Sequence, residues 1–146
     1  MKKRIFAMLL TTMAALTITA CGGDNSATKE EAPAQPPVLT GEWKQVNSNS
    51  EDTYHVAVIQ DDTIEINWVM EEDDTKALYW AGTFVAPETA DEPYTWDSEN
   101  DKEKTDMALL ASGDDTKTFT YENGQLSYDA SMMGVTQTVK LEKVTE

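Results

Sequence analysis

From Val38 onward, apolar and polar residues alternate in short runs, with turn-forming residues every eight to twelve positions or so, a pattern that predicts an antiparallel all-β domain. Thr63–Met70 is the clearest run, with Ile64, Ile66, Trp68 and Met70 on one side and Thr63, Glu65 and Asn67 on the other. It pairs with Thr53–Gln60 through Asp61-Asp62, residues that suit a tight hairpin turn. Asn123-Gly124, between Tyr121 and Leu126, is the strongest hairpin signal, because both residues tolerate positive φ. Gly113-Asp114-Asp115 and Met133-Gly134 mark further turns.

The remaining runs are 39–46, 77–86, 94–96, 107–112, 118–122, Gln125–Met132 and 135–144. Together they predict a meander of about eight or nine short strands closing into a small barrel or a sandwich. In 77–86 the alternation puts Leu78, Trp80, Gly82 and Phe84 on one face, and Gly82 between two aromatics leaves room for a neighbouring ring or backbone. With Trp43, Trp96, Phe119, Tyr121, Leu126, Tyr128, Val139 and Leu141, these faces hold enough large side chains for one core. Residues 87–93 and 97–106 read as long polar loops.

The N-terminus follows a different rule. Lys2, Lys3 and Arg4 precede an apolar stretch, 5–18, that is short for a membrane span and has the layout of an export signal. Its end, Ile18-Thr19-Ala20-Cys21, resembles the lipobox of bacterial lipoproteins. That resemblance implies cleavage before Cys21, a lipid on the Cys21 thiol, and a protein held on the extracytoplasmic face of the cell membrane. Residues 22–37 carry Gly, Ser, Pro and charge without apolar periodicity, and read as a flexible tether with a reach of roughly 20–24 Å. The expected organisation is a signal peptide at 1–20, a lipidated cysteine and tether at 21–37, and a single all-β domain at 38–146.

Charge narrows the partners. Beyond residue 20 the chain has eight lysines, no arginine and 27 acidic residues, a net −19. Nucleic acid is therefore excluded as a partner, and anionic lipid heads repel the domain, so membrane attachment has to come from the lipid on Cys21. Cys21 is the only cysteine, which leaves packing alone to stabilise the domain.

Candidate chemistry is sparse. Gly41-Glu42-Trp43 resembles the Gly-x-Trp that opens lipocalins and small lipocalin-like bacterial lipoproteins, in which the Trp closes one end of an up-and-down barrel and a small apolar ligand sits at the other. The arginine that packs over that Trp in lipocalins has no counterpart here. The general layout is also similar to short exported lipoproteins of Gram-positive bacteria, some of them carried by prophages.

His55 is the only histidine; it lies between Tyr54 and Val56 and reads as a half-exposed strand residue. No Gly-x-Ser-x-Gly elbow presents a serine, and one histidine without a free cysteine makes a poor zinc site. Residues 97–101 alternate oxygen-bearing side chains as calcium loops do, but lack the glycine and closing glutamate of an EF-hand. No catalytic residue, metal or cofactor is assigned. Tyr54, Tyr79 and Tyr94 are the candidate contact residues, read as outward-facing or near loop ends. The expected function is a lipid-anchored, non-catalytic module that binds a surface protein or a small ligand, with a carrier of small apolar molecules and an enzyme as the alternatives.

Overall fold

The computed structural model describes residues 34–145; the signal-like stretch, Cys21 and the tether up to residue 33 lie outside the described residues. Eight strands follow one another: β1 (Gly41–Gln45), β2 (Thr53–Gln60), β3 (Thr63–Met70), β4 (Thr75–Thr83), β5 (Tyr94–Glu99), β6 (Thr116–Glu122), β7 (Gln125–Met132) and β8 (Val135–Lys143). A single-turn helix, α1 (Lys102–Thr105), lies between β5 and β6. The strands form one antiparallel sheet in the order β4-β3-β2-β1-β8-β7-β6-β5, a meander in which the first and last strands pair.

The sheet curls until its two edges, β4 and β5, meet at an isolated bridge between Gly82 and Asn100. The seam is extended by Asp101 N–H to the Ala81 carbonyl and Ser112 N–H to the Tyr79 carbonyl, each 2.8 Å. The result is a nearly closed barrel rather than a sandwich. Closure depends on Gly82, since a Cβ there would collide with the Glu99 carbonyl and the Ser98 hydroxyl and lie 2.8 Å from the Trp80 indole nitrogen.

Hairpin turns behave as their residues dictate. Asn123 and Gly124 take φ values of 53° and 81°, as the right-handed twist of the flanking strands requires. Met133 and Gly134 do the same at 52° and 80°, with a methionine in a conformation usually left to Asn or Gly.

Three expectations about the elements are overturned. Residues 97–106 are not a long polar loop, because β5 runs on to Glu99 and α1 follows. Residues 107–112 form turns, not a strand; they follow α1 along the seam and leave Met107 and Leu109 exposed. In β4 the alternation is broken by a bulge, where Ile66 pairs with Trp80 but its neighbour Asn67 pairs with Leu78. Tyr79, the residue skipped, joins Trp80 in the core cluster, while Leu78 shares a register position with Asn67 and is only half-buried.

The meander gives the barrel two distinct ends. At the lower end lie residues 34–40, the β2–β3 and β6–β7 turns, the β4–β5 connection and the C-terminus. Here Trp43 is 1 % exposed, donates from its indole to the Leu39 carbonyl at 2.8 Å, and meets Tyr121 edge-on. Leu39 is itself buried and plugs this end. Above it Trp96 stacks on Phe119 with ring centroids 5.1 Å apart, and Phe119 leans on Tyr128 at 5.2 Å. The upper end, where β1–β2 and β7–β8 turn, is filled differently.

Candidate binding site at the barrel mouth

Four inward positions near the upper end carry aromatic or imidazole rings: His55 on β2, Trp68 on β3, Tyr79 on β4 and Tyr128 on β7. The Asp61-Asp62 turn sets the β2–β3 register so that His55 faces Trp68 directly, and the two rings meet edge-to-face with centroids 3.7 Å apart. Tyr79, brought inward by the bulge, lies 4.9 Å from His55 on another side. The half-exposed strand position expected for His55 is therefore wrong: it is completely buried. Alternation alone was ambiguous, because β2 carries apolar residues on both faces.

Above these rings the barrel opens into a cavity of about 370 Å³, walled by His55, Trp68, Tyr79, Ala130 and Val139 and rimmed by the β1–β2 loop and the β7–β8 hairpin. Its size falls within the range of roughly 300–1,000 Å³ typical of small-molecule sites. Polar side chains brace the rim. Gln45 accepts from His55 N–H at 2.9 Å and donates to Asn47 at 3.2 Å, and Asn47 in turn joins the loop to β8 through Thr138 and Lys140. On the opposite lip, Met132 and Val135 line the cavity while Met133 projects into solvent, 98 % exposed.

The protonation state of the wall follows from burial. The Tyr128 hydroxyl hydrogen-bonds to His55 Nδ1. Burial, and then the neighbouring Tyr79, raise the Tyr128 phenol well above its ordinary range, so it keeps its proton. Burial lowers His55 to about 4, with the nearby Lys117 charge acting in the same direction, so the imidazole is neutral near pH 7. His55 Nε2 and the Trp68 indole nitrogen are both buried without a hydrogen-bond partner.

Lys117 is the functional-looking residue that sequence reasoning missed. It points inward from β6, only 6 % exposed, and donates to Asp114 at 3.0 Å and to the Asp129 carbonyl at 3.1 Å. Its ammonium lies 5.4 Å from the Tyr79 ring centre and 5.2 Å from that of Trp80. The Ser112 hydroxyl, and then Lys117, hold the Asp114 carboxyl below the usual range. Lys117 shares the inward parity of Phe119 and Tyr121, so it would have been found had the strand been started at Thr116.

The three candidate tyrosines are not brought together. Tyr54 lies on the outer face, half-buried under Lys44, and donates to Glu71 at 2.6 Å, a bond that lifts its phenol above the ordinary range. Tyr94 belongs to the lower end, donating to the Val85 carbonyl at 2.8 Å and stacking on Trp96; burial raises its phenol. Tyr79, expected to face outward, is 1 % exposed and part of the cavity wall. Cys21 lies outside the described residues.

Residues 97–101 form the end of β5 and the cap of α1. Asp97 accepts from Thr118, Ser98 is buried against Trp80, and Asp101 caps the helix through Glu103 N–H. Among the described residues no group of three His, Cys, Asp or Glu side chains is placed to hold a metal ion. Comparison with protein-family models, with curated proteins and with solved structures finds no match for this chain.

Proposed function

We propose that the chain is a lipid-anchored, extracytoplasmic binding protein whose barrel mouth takes up a small ligand without transforming it. The observation that carries this reading is the aromatic-floored cavity of about 370 Å³ open at the upper end of the barrel. Residues 34–40 reach the barrel at its lower end and the cavity opens at the other. A barrel plugged by Trp43 at one end and open at the other also fits the lipocalin-like expectation.

Binding without turnover is favoured by the state of the one histidine. A general base works best with a pKa near the operating pH, whereas His55 is lowered to about 4 and its Nδ1 is engaged by Tyr128. The lip supports an apolar guest: Met132 and Val135, 42 % and 70 % exposed, are adaptable or branched apolar groups at the cavity edge.

Two measurements test the reading. Nile red, a neutral apolar dye, should brighten on the wild-type protein, and Ala130→Trp, which fills the cavity, should weaken binding by about tenfold or more; equal binding by the two would place the dye elsewhere and defeat the proposal. Intact mass of membrane-extracted protein should show loss of residues 1–20 and gain of lipid. A Cys21→Ser variant that stays membrane-bound with its processing and lipid increment unchanged would remove the anchor.

A further inference from the structure

The wall of the mouth cavity restricts what can occupy it. No lining residue carries a charge: the rim is Gln, Ser, Asn and Thr, the lip is Met and Val, and the floor is aromatic with a neutral His55. A carboxylate or phosphate entering this space finds no lysine or arginine, since Lys117 is turned to Asp114 and the Asp129 carbonyl. A cation finds no carboxylate. Burying either charge unpaired is costly, and the acidic domain adds long-range repulsion against anions.

The floor carries a second restriction. Trp68 has only a donor to offer. Its indole nitrogen is buried without an acceptor, and its ring belongs to the cavity wall. A buried donor left unpaired is destabilising and calls for an explanation; of the two unpartnered indole nitrogens among the described residues, that of Trp96 lies in the packed core and that of Trp68 beside the cavity. Trp68 is half-buried near the upper end of β3, beside the cavity.

Resting on the mouth cavity as the ligand site, we propose that the natural ligand is an uncharged molecule with an apolar body and, at its buried end, a hydrogen-bond acceptor such as a carbonyl, ether or ring-nitrogen atom. On ligand entry the Trp68 ring turns and its indole N–H pairs with the acceptor. The apolar body lies between Ala130, Val139 and the Met132–Val135 lip, and the amides and hydroxyls of the rim stay in water. Recognition thus combines exclusion of charge with capture of one acceptor.

Four probes on one skeleton separate these elements: acetylnaphthalene, ethylnaphthalene, naphthoate and naphthylmethylammonium, titrated calorimetrically into the wild-type protein and into Trp68→Phe. After allowance for water–octanol partition, the ketone should bind about tenfold tighter than the hydrocarbon, and both ions should bind more weakly than either neutral probe. Trp68→Phe keeps an aromatic ring but loses the donor, so the ketone's advantage should shrink to about threefold or less while the hydrocarbon's affinity holds. Equal affinity for ketone and hydrocarbon would overturn the acceptor while leaving the cavity as a site. Tighter binding of either ion would overturn charge exclusion. Failure of every probe to bind, or binding undiminished in Ala130→Trp, would overturn the mouth as a site and this inference with it.

Discussion

At the scale of single residues, His55 concentrates the unusual energetics of the barrel. In the unfolded chain it titrates near 6.5, and in the folded protein burial and then Lys117 lower it to about 4. Between those values the unfolded chain binds the extra proton, so the histidine's contribution is full above pH 6.5, is lost as pH falls towards 4, and changes little below. The gap corresponds to roughly 3 kcal/mol. Urea denaturation at several pH values should therefore show a steeper acid loss for the wild type than for His55→Gln; parallel curves would mean that His55 is not held neutral. The variant is the needed control, because many carboxylates titrate in the same window. Met133 makes a separate prediction. It holds φ at 52° with its side chain in water, so Met133→Asn should raise stability by about 0.5–1 kcal/mol in thermal melts, and a lower midpoint would mean that the side chain packs after all. The burial of His55 was legible in principle, since the two-residue turn at Asp61-Asp62 sets it opposite Trp68. Strand alternation alone could not decide it, with Val56 and Val58 on the other face.

At the scale of elements, the turns and the strand pattern were readable because they depend on local chemistry. Thr53–Gln60, Thr63–Met70 and Gln125–Met132 form with the bounds their alternation implies. What the sequence hid was the bulge in β4. A one-residue insertion leaves no mark on composition, yet it brings Tyr79 into the cavity wall and sends Leu78 to the other register row. The seam was hidden for a related reason: residues 107–112 have the apolar content of a strand, but their neighbours form the helical turn that fills the gap between β4 and β5. Gly82, by contrast, announced a close approach, and the approach is that of the β5 backbone. Gly82→Ala should cost near the top of the ~1–3 kcal/mol usual for overpacking, read as a lower urea midpoint, because the obstructing atoms include backbone that cannot rotate away. An unchanged midpoint would show that the seam is loose.

At the scale of the whole molecule, the two ends of the barrel divide the labour, one closed and packed and the other carrying the cavity. The lower end is closed by Leu39 and Trp43, whose indole donates to the Leu39 carbonyl, and the aromatic stack above them fills the middle. A chain starting at Val38 should keep its thermal midpoint within a few degrees, since residues 34–36 are exposed and Pro37 is only half-buried. Starting instead at Thr40 removes a buried leucine and orphans the Trp43 indole, and should cost about 2–5 kcal/mol. Equal stability of the two chains would mean that the lower plug contributes nothing. The upper end then needs no plug and carries the cavity.

The four tryptophans allow the site to be located in one spectrum, because each indole N–H gives its own signal and only Trp68 lines the cavity, while Trp43, Trp80 and Trp96 lie in the packed interior. On titration with acetylnaphthalene, the Trp68 indole resonance should move downfield as its N–H gains an acceptor. The other three should stay in place. Movement of Trp43 or Trp96 with Trp68 unchanged, or no movement at all at saturating probe, would contradict a ligand site at the mouth of the barrel.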